Sequence, residues 1–153
     1  MRVGTVLVLS LFVLGIPPQI ARAQAPLPEG VLALTTEQFK WQDSSVGWQM
    51  AVLYGDMRSN DYSVVRLRMP RNWDAPAHTH ERTQLEIVRV LSGTMLLAFG
   101  EFLTRGAATA YGPGSFIVYP AGTTSRMFTR DEEVLVEVTH LPAFAEPSPG
   151  PAF

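Results

Sequence analysis

The sequence predicts an all-β domain, a sandwich or a barrel of short antiparallel strands. Three observations carry this. Short runs rich in apolar and β-branched residues recur at even spacing. Each is closed by Gly, Pro, Asn, Asp or Ser. No segment keeps a helical period for more than a turn or two. Residues 35–38 (Thr-Thr-Glu-Gln) predict one short helical turn. The strands then follow at 48–53, 62–69, 77–80, 86–91, 94–99, 107–111, 115–119, 124–129 and 133–139. Ser92-Gly93, between two apolar runs, reads as a tight hairpin turn. Gly112-Pro113-Gly114 and Pro120-Ala121-Gly122 read as two further turns. Trp41, Trp48, Phe99, Phe116 and Phe128 are the expected core aromatics.

Both ends read differently from this middle. Residues 1–23 are expected to be a secretory signal peptide: Arg2 precedes an apolar run from Val3 to Ile16, and Ala21-Arg22-Ala23 offers small residues at a cleavage site. A spanning helix needs about 20 apolar residues, and this run stops at Pro17-Pro18. Residues 24–30 read as a flexible leader, 31–141 as the β-barrel domain, and 142–153, with its prolines, as a poorly ordered tail.

Removing Arg2 and Arg22 leaves 10 of the 12 basic residues against 14 acidic ones, a net charge of −4. No basic block is present, which argues against nucleic acid as a partner. The densest basic group is Arg66, Arg68 and Arg71. Arg66 and Arg68 share one strand face, read as a solvated sheet surface. With no cysteine, the chain has no disulfide, no thiolate ligand, no cysteine nucleophile and no lipid attachment at Cys. An exported domain, periplasmic or extracellular, with no membrane association after cleavage is expected.

The chemistry concentrates at His78-Thr79-His80. Alternate residues of a strand point the same way, so the two imidazoles share a face. With Glu86 they make a donor set for a divalent metal. The pattern His78-x-His80, then Glu86-x6-Gly93, then Gly114-x5-Pro120-x-Gly122 resembles the two motifs of the cupin superfamily, over about residues 62–140. The resemblance implies a double-sheet β-barrel (jelly roll) with a metal near its centre or mouth.

Three departures qualify it. Asn72, Trp73 or Asp74 stands where the first motif often begins with glycine. Five residues separate His80 from Glu86, where the motif has three or four; Glu81 and Gln84 are the substitutes if that loop folds differently. Ser125 replaces the second motif's histidine, and Thr129 its asparagine. A neutral hydroxyl is a poor metal ligand, so three strong ligands remain and one position opens to water or substrate. Two histidines and a carboxylate resemble the arrangement of non-haem iron oxygenases, and also suit zinc or manganese.

The expected cofactor is therefore Fe, Mn or Zn on His78, His80 and Glu86, with Ser125 as a contact for water or substrate. The expected partner is a small molecule, with oxygenase, isomerase and lyase chemistry all open. The alternative is a non-enzymatic binding or sensing domain without a functional metal. Homodimerisation through an open sheet edge is a further reading. His140 reads as a strand-end histidine, although its parity matches Val136 and Val138. Tyr119 and Arg126 flank the second motif as lesser candidates for ligand contact.

Overall fold

A computed structural model describes residues 27–59, 61–80 and 84–142, without the side chain of Gln84. The expected signal peptide, the segment 143–153 and Glu81 lie outside the described residues. Among the described residues ten strands form: β1 (Gln42–Asp43), β2 (Gln49–Gly55), β3 (Ser63–Met69), β4 (His78–Thr79), β5 (Gln84–Ser92), β6 (Met95–Phe99), β7 (Thr109–Tyr111), β8 (Phe116–Tyr119), β9 (Thr124–Thr129) and β10 (Val134–Pro142). Short 3₁₀ turns occupy Thr36–Gln38 and Arg105–Ala107. The strands make a six-stranded sheet in the order β1-β2-β3-β10-β5-β8 and a four-stranded sheet in the order β4-β9-β6-β7. Every paired strand is antiparallel. This is the double-sheet jelly roll expected.

The expected strands are present, with ends that differ by a few residues. β1 was not expected; two polar residues carry no strand signal of their own. One connection has a different role. Ser92-Gly93 does not close a hairpin: β5 belongs to the six-stranded sheet and β6 to the four-stranded one. The tight turn is a corner between sheets. Gly93 takes φ +72, and a Cβ there would collide with the Glu133 carbonyl oxygen. Residues 112–114 and 120–122 likewise carry the chain from one sheet to the other.

The core follows strand parity. Val65 and Met69 of β3, Val88 and Val90 of β5, and Val134, Val136 and Val138 of β10 face Met95 and Leu97 of the other sheet. Phe128 is buried, with Leu96 and Ala98, on the outer side of the small sheet. Phe99 and Phe116 are not core residues: both are substantially exposed. Phe116 alternates with inward Ile117 and so faces out, where Arg89 lies 5.3 Å over its ring. Trp41 is half-buried over Arg68, at 4.1 Å, and Phe39 lies over Arg66 at 5.0 Å. The face carrying these arginines is thus covered by aromatic residues of the preceding segment, not left to solvent.

Two features fix the segment that leads into His78. Asn72 takes φ 55, the left-handed conformation that the usual glycine adopts freely and asparagine tolerates. Thr129 is fully buried; its hydroxyl accepts from Trp73 N–H at 2.8 Å and donates to the Pro70 carbonyl at 2.6 Å.

Candidate functional site

One rung of the large sheet carries four of the polar residues of the interior. Ser63 of β3 pairs with His140 of β10, His140 pairs with Glu86 of β5, and Glu86 pairs with Tyr119 of β8. Paired residues on neighbouring antiparallel strands put their side chains on the same face. All four therefore face the other sheet. There, His78 of β4 pairs with Ser125 of β9, which pairs with Phe99 of β6. His80, just past β4, is held by backbone bonds from its N–H to Thr123 and from Gly122 N–H to its carbonyl.

These side chains form a continuous polar chain. Ser125 Oγ lies 3.0 Å from His80 Nε2, and His80 Nδ1 lies 2.9 Å from Glu86 Oε2. Glu86 Oε1 lies 3.7 Å from His140 Nε2, and His140 Nδ1 lies 3.1 Å from Ser63 Oγ. His80 stacks on the Tyr119 ring at 4.2 Å, and its ring centroid is 4.9 Å from that of His78. Burial pushes the Glu86 carboxyl up, but the His80 hydrogen bond and the surrounding imidazoles outweigh it, leaving its pKa below the ordinary value. Against an ionised Glu86, His80 Nδ1 is the donor. Burial also holds His140 below the usual imidazole value, against the pull of Glu86. Burial raises the Tyr119 hydroxyl, and the Glu86 charge adds to this.

His78, His80, Glu86 and His140 line a cavity of about 400 Å³ between the sheets. The rest of the wall is apolar and includes Trp48, Met57, Met69, Trp73, Met127 and Val138. Among the described residues neither Lys nor Arg lines it. Tyr119 also lines it, 1% exposed, and its buried hydroxyl has no hydrogen-bond partner among the described residues.

By residue type, three imidazoles and a carboxylate at one cavity suit a divalent ion of the Fe, Mn or Zn kind. In the present arrangement these groups are engaged with one another. Both ring nitrogens of His80 are committed, and no three His, Asp or Glu side chains among the described residues stand together as a formed metal cluster.

The structure brings together His78, His80 and Glu86 on this cavity. His78 is at its exposed side, its Nδ1 3.3 Å from the Pro76 carbonyl. Ser125 is buried beneath, its hydroxyl taken by His80. Tyr119 lines the cavity, but Arg126 does not: it faces outward to Asp74 and the carbonyls of Ala75 and Leu103. Parity explains this, since Ser125 and Met127 on either side of Arg126 face in. His140 belongs to the site, contrary to its reading as a bare strand-end residue. β10 runs two residues past it, and the parity with Val136 and Val138 was the signal. Ser63 carried no sequence signal; only pairing with His140 reveals it.

A family model described as "Cupin domain" matches residues 65–141. No curated protein matches the sequence. Among solved structures, the chain is similar to KdgF from a Halomonas species, at 22% identity, 72% coverage of this chain, 94% of that one and a TM-score of 0.58. It is similar to a predicted oxalate decarboxylase from Thermotoga maritima, at 14% identity, 72% and 99% coverage and a TM-score of 0.60. It is also similar to the polyketide cyclase RemF from Streptomyces resistomycificus, at 17% identity, 78% and 89% coverage and a TM-score of 0.59. At these identities the likeness is one of fold.

Proposed function

This chain belongs to the cupin superfamily, and we propose that its barrel holds a divalent metal through His78, His80 and Glu86 and presents it to a small molecule. The observation that carries this is the meeting of all three side chains on one cavity, with His80 and Glu86 in contact at 2.9 Å. Fe, Mn and Zn all suit the donors. Such an ion supplies Lewis-acid polarisation of a ligand oxygen or a bound water of lowered pKa. His80 and Glu86 would have to part before both served as ligands, and the neutral imidazole would then offer one ring nitrogen to the ion and keep its proton on the other. Tyr119 holds the His80 ring by stacking, and the apolar walls exclude water from the bound molecule. The reaction class stays open among oxygenase, isomerase and lyase; the enzymes among the similar structures support small-molecule chemistry in general. The signal peptide expected at residues 1–23 supports export to the periplasm or beyond, and the acidic balance supports a partner other than nucleic acid.

A second reading is a binding or sensing domain without metal. The Ser125 contact favours it, because a hydroxyl stands at the family's fourth donor position and already satisfies His80 Nε2. Metal content by mass spectrometry on tag-free protein, beside a His78→Ala/His80→Ala control and a Ser125→His variant, separates the two. Near-stoichiometric metal, lost in the control and held more tightly by Ser125→His, is expected. No metal in any of the three after reconstitution with Fe(II), Mn(II) and Zn(II) leaves the binding domain.

A further inference from the structure

We infer that the cavity is built for a largely apolar small molecule carrying a single hydrogen-bonding group, and that this group meets the Tyr119 hydroxyl beside the His–Glu cluster. The inference rests on the cavity being the working site proposed above, but not on a metal being bound.

Two independent observations carry it. The first is the wall. Outside the cluster, the cavity presents Trp48, Trp73 and the thioethers of Met57, Met69 and Met127. Such surfaces match aromatic or aliphatic bodies, and methionine adapts to their shape. A phosphate or a dicarboxylate needs Arg or Lys to replace its hydration, and among the described residues neither lines the cavity. A sugar needs a polar partner for each hydroxyl, and among the described residues no Ser, Thr, Asn, Gln or charged side chain lines the cavity away from the cluster. The volume, about 400 Å³, lies toward the small end of the range for ligand pockets, about 300–1,000 Å³.

The second is Tyr119. Tyr119 is 1% exposed, its hydroxyl is buried, and that hydroxyl lacks a partner among the described residues. A buried hydroxyl left unsatisfied is costly, and native interiors rarely retain one without a use. Tyr119 pairs with Glu86 and stacks on His80. A ligand group that satisfies the hydroxyl is thereby placed next to the groups able to hold or move a proton. The apolar body then selects the ligand, and the rung orients it.

The test uses the full-length chain, stripped with EDTA and, in parallel, reconstituted with Zn(II). The probe is prodan, a naphthalene dye with one ketone, whose emission moves to the blue in apolar surroundings. A blue shift on binding is expected in at least one form. β-Naphthol should displace the dye, naphthalene should do so roughly tenfold less well, and glucose phosphate and oxalate should not compete. Tyr119→Phe, checked for fold by circular dichroism, should weaken β-naphthol roughly fivefold to tenfold and leave naphthalene unchanged. The naphthol-to-naphthalene ratio in the unmodified chain reads the same preference if the variant fails to fold. Absence of dye binding in both forms, competition by glucose phosphate or oxalate, or equal displacement by β-naphthol and naphthalene would overturn the inference. Metal content is read separately, so the ligand class and the metal reading fail independently.

Discussion

Glu86 stands between two imidazoles, and its ionisation ties the site to pH. Its pKa and that of His140 are both lowered in the folded protein. Each group therefore binds protons less readily folded than unfolded, and stability falls as protons are added. The His140 contribution is complete above the unfolded imidazole value of about 6.5 and is lost as pH drops from there toward its lower folded value. The Glu86 contribution is complete above about 4.3 and is lost below it. In urea titrations of metal-free protein, the midpoint should be lower at pH 5.5 than at pH 7.5, and His140→Gln should remove most of that difference. A midpoint that rises on acidification would contradict these assignments. His78, His80 and Glu86 were legible because their spacing is local. His140 was half legible, from parity. Ser63 was silent, because serine is common in strands and its role exists only through a residue 77 positions away.

At the scale of the element, strand existence was legible and strand partnership was not. Alternation along residues 62–69 and 133–139 marks an inward face, whichever strand lies alongside. Ser92-Gly93 shows the limit: the same dipeptide serves a hairpin or a corner, and local sequence does not distinguish them. The corner is nevertheless demanding. Gly93→Ala combines a left-handed φ with a collision on the Glu133 carbonyl, and should cost roughly 2 kcal/mol or more in denaturant unfolding. A loss under about 0.5 kcal/mol would show that the corner relaxes freely. Asn72 carries the opposite lesson. Its departure from the motif's usual glycine preserves the conformation that glycine supplies, so the path into His78 is kept while the letter changes.

Across the whole molecule, the fold class came from repeated short strands, and the jelly roll from a resemblance carried by a handful of residues. What neither conveyed was the cavity, since an apolar wall and an apolar core look alike in sequence. Met69 and Val138 serve both. The alternation of sheets at the corners has a consequence in time. Among the described strands, consecutive ones pair only as β1–β2, β2–β3 and β6–β7. Each of the other steps sends the chain across to the opposite sheet. Little of the native pairing can therefore form locally, and most loop-closure entropy is spent before the partners that offset it arrive. Refolding followed by stopped-flow tryptophan fluorescence should accordingly be slow, on the order of milliseconds to seconds. A microsecond phase carrying the full amplitude would contradict this. The newly made chain thus spends an interval with its strands unpaired, and it is in that interval that it is most exposed to aggregation and to proteases.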